Sequence, residues 1–174
     1  MSKKPGSSLD RLWAPWRIPY LRRITRKEKP GSCFFCDYAA APKKDRKNLV
    51  VLRGKSAFVV LNRFPYAGGH LLIAPLAHKG DLALFTEAER AETFDLLVRM
   101  QRVLEKRMKP QGFNIGLNIG RAAGAGVPGH LHFHLLPRWN GDTNFMASVA
   151  QVKVIPQALA ELHGELQKAL LTVR

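Results

Sequence analysis

This chain has little of what would place it in a membrane or outside the cell. Its longest apolar runs, Ala57–Leu61 and the Pro-interrupted Leu71–Ala77, fall far short of the roughly 18 residues a membrane span requires. The start, Met1-Ser-Lys-Lys-Pro-Gly6, lacks the apolar core of a secretory signal, which points to the cytoplasm. Two cysteines are too few for a disulfide framework. Acids are scarce as well: 13 Asp and Glu stand against 28 Lys and Arg, a formal charge of +15, and none lies between Gly112 and Gly141. The imbalance favours anionic partners. The acid-free stretch argues against a Ser-His-Asp arrangement there.

What remains is an ordinary globular composition, 46% hydrophobic and 24% charged over 174 residues, which suits one well-buried domain. Most of the basic excess falls in Met1–Lys47, with 13 basic and 4 acidic side chains. We expect residues 1–32 to form a basic arm that packs through Trp13, Trp16 and Tyr20, and residues 33–174 to form a single domain. Such an arm is suited to contact nucleic acid or simply to keep the protein soluble.

Runs rich in β-branched residues predict strands over Asn48–Arg53 and Ala57–Asn62, with Gly54-Lys55-Ser56 as a three-residue hairpin loop. His70–Ala74 predicts a third strand. Thr86-Glu-Ala-Glu89 has the form of a capping box, and Phe94, Leu97, Leu104 and Met108 then fall on one helical stripe that Pro110 and Gly112 stop. Phe113–Ile119 and Leu131–Pro137 read as two more strands. A final helix opens with Pro156 in its first turn and turns Leu159, Leu162, Leu166 and Leu170 inward. Strands and helices do not alternate as in a doubly wound protein, so the fold class is α+β with a largely antiparallel sheet.

His130-Leu-His-Phe-His134 carries the densest chemical signal. Strand alternation sends its three imidazoles to one face and Leu131, Phe133 and Leu135 to the other. Just upstream, Gly120–Gly129 has five Gly or Pro among ten residues, so backbone amides can approach an anion closely. Cys33-Phe-Phe-Cys36 leaves metal binding and thiol redox chemistry as the two options. Pro30-Gly-Ser before it and Pro42 after it do not suggest the strand-to-helix setting of a redox pair, so zinc is preferred. His78 and one histidine of the triplet are the best further ligands. His163 reads as a boundary residue of the last helix.

His130-Leu-His-Phe-His-Leu-Leu136 resembles the signature of the histidine triad (HIT) superfamily, three histidines separated by single hydrophobic residues. Gly69-His70-Leu-Leu-Ile73, Pro75-Leu-Ala-His78, the long helix and the Gly-rich loop follow the family's order, so the resemblance covers about Cys33 to Gly141. The flanks Arg11-Leu-Trp-Ala-Pro-Trp-Arg17 and Arg138-Trp-Asn-Gly-Asp-Thr-Asn-Phe145 are similar to a bacterial branch with diadenosine tetraphosphate phosphorylases and Fhit-like hydrolases.

The resemblance implies a five-stranded sheet with one long helix and a C-terminal helix, a homodimer that continues the sheet across two protomers, and adenine nucleotide substrates. It also implies a covalent AMP-histidine intermediate. His132 becomes the nucleophile, His134 a phosphate contact, His70 a member of the same ring of histidines, Asn118 an α-phosphate contact and Asn62 a ribose contact. Cys33, Cys36, His78 and His130 become the ligands of a structural zinc. One departure stands out: Gly124-Ala-Gly-Val-Pro-Gly129 offers no Ser, Thr or Gln to help the leaving group. Gly124 and Gly126 amides and Arg121 are then the expected substitutes. Arg121 and Arg138 bracket an acid-free site, which leans toward phosphate rather than water as the acceptor. The other readings are an AMP phosphoramidase, or a zinc-stabilised nucleotide-sensing or nucleic-acid-binding module.

Overall fold

Five strands lie side by side in the order β1-β2-β3-β5-β4, and every neighbouring pair is antiparallel. They are β1 (Val50–Arg53), β2 (Ala57–Leu61), β3 (Leu71–Pro75), β4 (Gly112–Leu117) and β5 (Phe133–Arg138). The α-helices among the described residues are α1 (Phe34–Ala39), α2 (Asp45–Asn48), α3 (Glu87–Met108) and α4 (Leu159–Leu170). The computed structural model describes residues 33–143 and 154–173. The arm with Trp13, Trp16 and Tyr20 lies outside the described residues. Among the described residues no helix is long and apolar enough to cross a membrane. The α+β class, the antiparallel sheet, the long helix and the terminal helix match the sequence-based expectation.

β2 and β3 are buried along their whole length, as their continuous apolar runs require. Ile73, Leu71 and Leu135 from one face of the sheet join Met100 and Leu104 from α3 and Leu162 and Leu166 from α4 in one core, while Phe58, on the other face, packs against Phe35 of α1 with ring centroids 6.2 Å apart. Burying each such side chain contributes roughly 1.5–3 kcal/mol. α4 closes over α3 and β1, with Arg107 paired to Glu165 at 2.8 Å.

α3 begins at the expected capping box: Glu89 N–H donates to Thr86 Oγ1 at 3.2 Å, and Thr86 N–H donates to Glu89 Oε2 at 2.7 Å. The buried stripe differs from the predicted one. Thr93, Leu96, Leu97, Met100, Val103 and Leu104 face inward, whereas Phe94 is 58% exposed and rests edge-on against Phe133, with ring centroids 5.8 Å apart.

Three further expectations are corrected. Pro156 precedes α4, whose N-cap is Ala158. His163 is buried rather than at the boundary, and its Nε2 donates to the Val50 carbonyl at 2.7 Å, tying α4 to β1. The strand expected from Leu131 starts at Phe133, because the Leu131 N–H is taken by the Lys79 carbonyl at 2.7 Å outside the sheet ladder.

α1 and α2 have little local signal in the sequence. A tertiary clamp holds them: the Arg53 guanidinium donates to Asp45 at 2.8 and 2.6 Å and to the carbonyls of Tyr38 and Ala39 at 2.5 and 3.1 Å.

Candidate functional site

Register builds the site. Leu72 on β3 faces His134 on β5, and His70 stands two residues before Leu72 on the same side, so the two imidazoles meet with centroids 5.1 Å apart. His132 continues the row toward His130, its ring 5.0 Å from that of His134. The three triplet histidines and His70 therefore form one connected group, in which His70, His130 and His132 are buried and His134 is half-buried.

The hydrogen bonds assign the ring protons. The Tyr66 N–H donates to His70 Nδ1 at 3.1 Å, so that nitrogen is an acceptor and the neutral ring carries its hydrogen on Nε2. His70 Nε2 then donates to His134 Nδ1 at 2.9 Å, which leaves the hydrogen of His134 on its Nε2. His132 Nδ1 lies 2.9 Å from the His130 carbonyl, which can only accept. His132 Nδ1 is therefore the N–H, and Nε2 holds the lone pair. Burial lowers the pKa of His132 below the ordinary histidine value, against the opposing pull of the His130 carbonyl, so the ring is neutral at pH 7.

The same logic applies at His130. Its Nε2 donates to the Pro75 carbonyl at 2.8 Å, which turns a lone pair on Nδ1 toward Cys33 Sγ at 3.3 Å and Cys36 Sγ at 3.6 Å. His78 Nδ1 lies 3.3 Å from Cys36 Sγ. All four ligand atoms fall within 4.8 Å of one another. A tetrahedral zinc, with roughly 2.3 Å to sulfur and roughly 2.0 Å to nitrogen, spaces its ligands about 3.5 Å apart, so the set fits that ion. Burial pushes the Cys33 thiol up to about 11, opposite to the depressed thiol of a redox pair. Burial likewise lowers the pKa of His130. The sequence-based argument against a helix at this pair is corrected, since Cys33 is the N-cap of α1.

Several contributors escaped the sequence reading. Phe35, fully buried on α1, places its ring 5.0 Å from His130 and 4.9 Å from His132 and so backs both imidazoles. Tyr66 stacks on His70 at 5.0 Å. Lys79 pairs with Glu89 at 2.6 Å and thereby fixes the segment after His78 to the start of α3. Gly80 and Gly129 let that segment meet the end of the Gly-rich loop. A Cβ at Gly80 would lie 2.9 Å from the Pro128 carbonyl, and one at Gly129 would lie 3.0 Å from His78 Nε2. The ligand set was legible in the sequence; the close approach of Gly80 to Gly129 and of Gly129 to His78 was not.

The remaining expected residues divide. Asn62 donates from Nδ2 to His70 Nδ1 at 3.2 Å and accepts from the Phe64 N–H at 2.9 Å, so it borders the histidine group. Asn118 lies at the start of the Gly-rich loop, its Nδ2 3.4 Å from the Gly124 carbonyl. The Gly124 N–H is used within the loop, on the Arg121 carbonyl at 2.9 Å, so it is not the open amide expected of an anion nest. Gly126 is half-buried in the same loop, and Arg121 is exposed. Arg138 is not brought to the site. It lies six residues beyond His132, roughly 20 Å along extended chain, and pairs with Asp142 at 2.5 and 2.9 Å and with Asn114 Oδ1 at 2.6 Å. The acid that offsets it stands one residue past the acid-free stretch.

The HIT domain family matches residues 43–141. The chain belongs to the HIT family. It is 39% identical over 162 residues to an AP-4-A phosphorylase of Mycobacterium tuberculosis, covering 88% of this chain and 80% of that protein. It is 33% identical over 93 residues to an asymmetrical bis(5'-nucleosyl)-tetraphosphatase of Schizosaccharomyces pombe, covering 53% of this chain and 50% of that protein. Its structure resembles a Zn-bound histidine triad family protein from Mycobacterium smegmatis, with TM-score 0.66 and 26% identity over 81% of this chain and 94% of that one.

Proposed function

We propose that this HIT-family enzyme cleaves the α-phosphate anhydride of an adenine dinucleotide such as diadenosine tetraphosphate, through a covalent AMP intermediate on His132. The observation that carries the reading is the bond from His132 Nδ1 to the His130 carbonyl, which aims the lone pair of a neutral imidazole out from Nε2. That nitrogen attacks the α-phosphorus. The P–N bond forms as the P–O bond to the leaving polyphosphate breaks, and the electron pair departs on the ATP oxygen. The chain Tyr66–His70–His134 keeps an N–H on His134 Nε2, a donor suited to the developing negative charge on phosphate. Asn118 and Asn62 are the proposed α-phosphate and ribose contacts, with Gly126 and Arg121 at the loop side.

The acceptor is proposed to be phosphate, whose oxygen takes AMP from His132 to give ADP beside the ATP already released. The charge argument from Arg138 no longer supports this choice, because Asp142 neutralises that cation. Identity to the AP-4-A phosphorylase supports it instead. Cys33, Cys36, His78 and His130 would hold the zinc, which supplies a structural cross-link rather than a catalytic one, and the fixed ring of His130 sets the carbonyl that orients His132. The proposed dimer would form along β4, an edge strand with Ile115 48% exposed and Phe94 nearby on α3. A cytoplasmic setting and a nucleic-acid contact through the basic arm remain part of the proposal.

The test is product analysis with diadenosine tetraphosphate. ADP and ATP that appear only with added phosphate support phosphorolysis. AMP and ATP at a rate indifferent to phosphate make the protein a hydrolase, and no turnover at all rejects the reading.

A further inference from the structure

A second concentration of positive charge lies apart from the histidines. Lys43, Lys44, Arg46 and Lys47, from the turn that leads into and through α2, line an open cleft of about 730 Å³ together with Arg63, just past β2. Its apolar lining comes from Leu49 and from Leu159 and Ala160 in the first turn of α4. No acid lines the cleft among the described residues. Asp45, the acid within this basic run, is turned into the clamp on Arg53 and does not neutralise it.

Two features favour a bound anion over a merely solvated face. Arg63 is held in place, donating to the Lys47 carbonyl at 2.7 Å with its guanidinium 5.9 Å from the Tyr38 ring centroid. α4 starts at the same cleft without a side-chain cap, because its N-cap is Ala158, so its first backbone N–H groups are open to an anion there, although Glu161 in the same turn offsets part of the positive dipole end. Five cations of one sign in a small concavity repel one another in the empty protein, and a ligand with several contiguous negative charges relieves that repulsion.

We propose that this cleft is a second anion site that binds a linear oligophosphate, either free or as the triphosphate tail of a nucleotide. The size matches a small ligand. A nucleic-acid strand would be served by aromatic platforms along an extended groove, and among the described residues no aromatic side chain lines this cleft. The apolar side chains of Leu49 and Leu159 in the lining give a nucleoside somewhere to rest.

Full-length protein is titrated calorimetrically with inorganic tripolyphosphate and, separately, with ATP, each in the presence of AMP at a concentration shown to saturate the histidine site. One bound oligophosphate per chain is expected to remain. Lys44→Glu with Arg46→Glu should weaken it by about tenfold or more, whereas Lys44→Arg with Arg46→Lys should retain it at unchanged melting temperature. Tighter binding of ATP than of tripolyphosphate assigns the nucleotide tail, and equal binding assigns the free chain. Loss of all oligophosphate binding once AMP is present, or indifference to charge reversal, overturns the proposal. Displacement of tripolyphosphate by a 20-nucleotide single-stranded RNA at lower concentration would also overturn it, in favour of a nucleic-acid surface. Failure of AMP itself to bind would count against the histidine site and leave tripolyphosphate binding to be read without it.

Discussion

His130 donates Nε2–H to the Pro75 carbonyl at 2.8 Å, and that single bond turns its Nδ1 toward both thiols while its own carbonyl orients His132. The proposed metal centre and the proposed nucleophile thus share one residue. Strain or disorder introduced at the centre should reach the chemistry through His130.

Replacing Cys36 by Ser is therefore expected to remove bound zinc and to lower the melting temperature. Metal binding is coupled to folding, so the loss of stability should exceed the loss of nucleotide affinity. Metal analysis by mass spectrometry together with thermal unfolding checks both halves. Full zinc occupancy in Cys36→Ser, or less than one zinc per two chains in the unaltered protein prepared without chelator, would contradict the assignment.

His132→Ala should reduce turnover by roughly 10⁴-fold or more while nucleotide affinity stays within about tenfold, since attack contributes only in the transition state. His70→Ala tests the proton assignment more finely. It removes the donor that holds His134 Nδ1, so kcat should fall by about a hundredfold with little change in KM. His70→Gln, which can still donate at a similar reach, should recover part of that loss. A KM effect with unchanged kcat would make His70 a binding residue instead.

The capping box of α3 was legible because Thr86 and Glu89 satisfy one another across four residues, with no help from the rest of the fold. The triplet was legible because period two survives even where His130 and His132 leave the ladder. Phe94 was misplaced because spacing alone does not say which side of a stripe meets the sheet, and the centre of the buried face falls between Thr93 and Met100. α1 and α2 were missed because six and four residues carry no period, and Arg53 holds both from a distant strand. Arg138 is offset for a simpler reason: its partner Asp142, four residues on, lies one residue past the acid-free stretch Gly112–Gly141, so the composition of that stretch alone overstates the free charge.

Glu92 joins α3 to the β1–β2 hairpin and should make stability depend on acid. Its carboxylate accepts the Lys55 N–H at 2.6 Å, the Ser56 N–H at 2.5 Å and the Ser56 hydroxyl. Burial raises its pKa, but these bonds to the charged form outweigh burial and hold it below the ordinary glutamate value. A depressed folded-state pKa means that the stabilisation is complete above the unfolded value and is lost as pH falls through the folded one. Glu92→Gln is expected to cost about 1 kcal/mol at pH 7. The difference from the unaltered protein should shrink as pH drops below about 4. Denaturant titrations at several pH values measure it, and a difference that grows on acidification would refute the assignment.

The final prediction concerns β4. Antiparallel sheets expose unpaired N–H and C=O groups on an edge strand unless something covers them, and in this sheet both β1 and β4 are edges. β1 is covered in part by α4, through His163 to the Val50 carbonyl. β4 carries Ile115 at 48% exposure, with Phe94 and Val98 of α3 also exposed. Apolar side chains on a strand edge and an adjoining helix form the kind of surface a second copy would cover, and two β4 strands meeting antiparallel would continue the sheet. Charge on that surface should oppose the pairing without disturbing the protomer core. If the protein pairs through β4 as proposed, Ile115→Lys is expected to shift it from the proposed dimer to monomer in sedimentation at micromolar concentration, while Leu84→Lys, a similarly exposed apolar position before α3, should leave that pairing in place. A protein that is monomeric before any substitution would reject the proposed dimer, and a dimer indifferent to Ile115→Lys but broken by Leu84→Lys would move the interface away from β4.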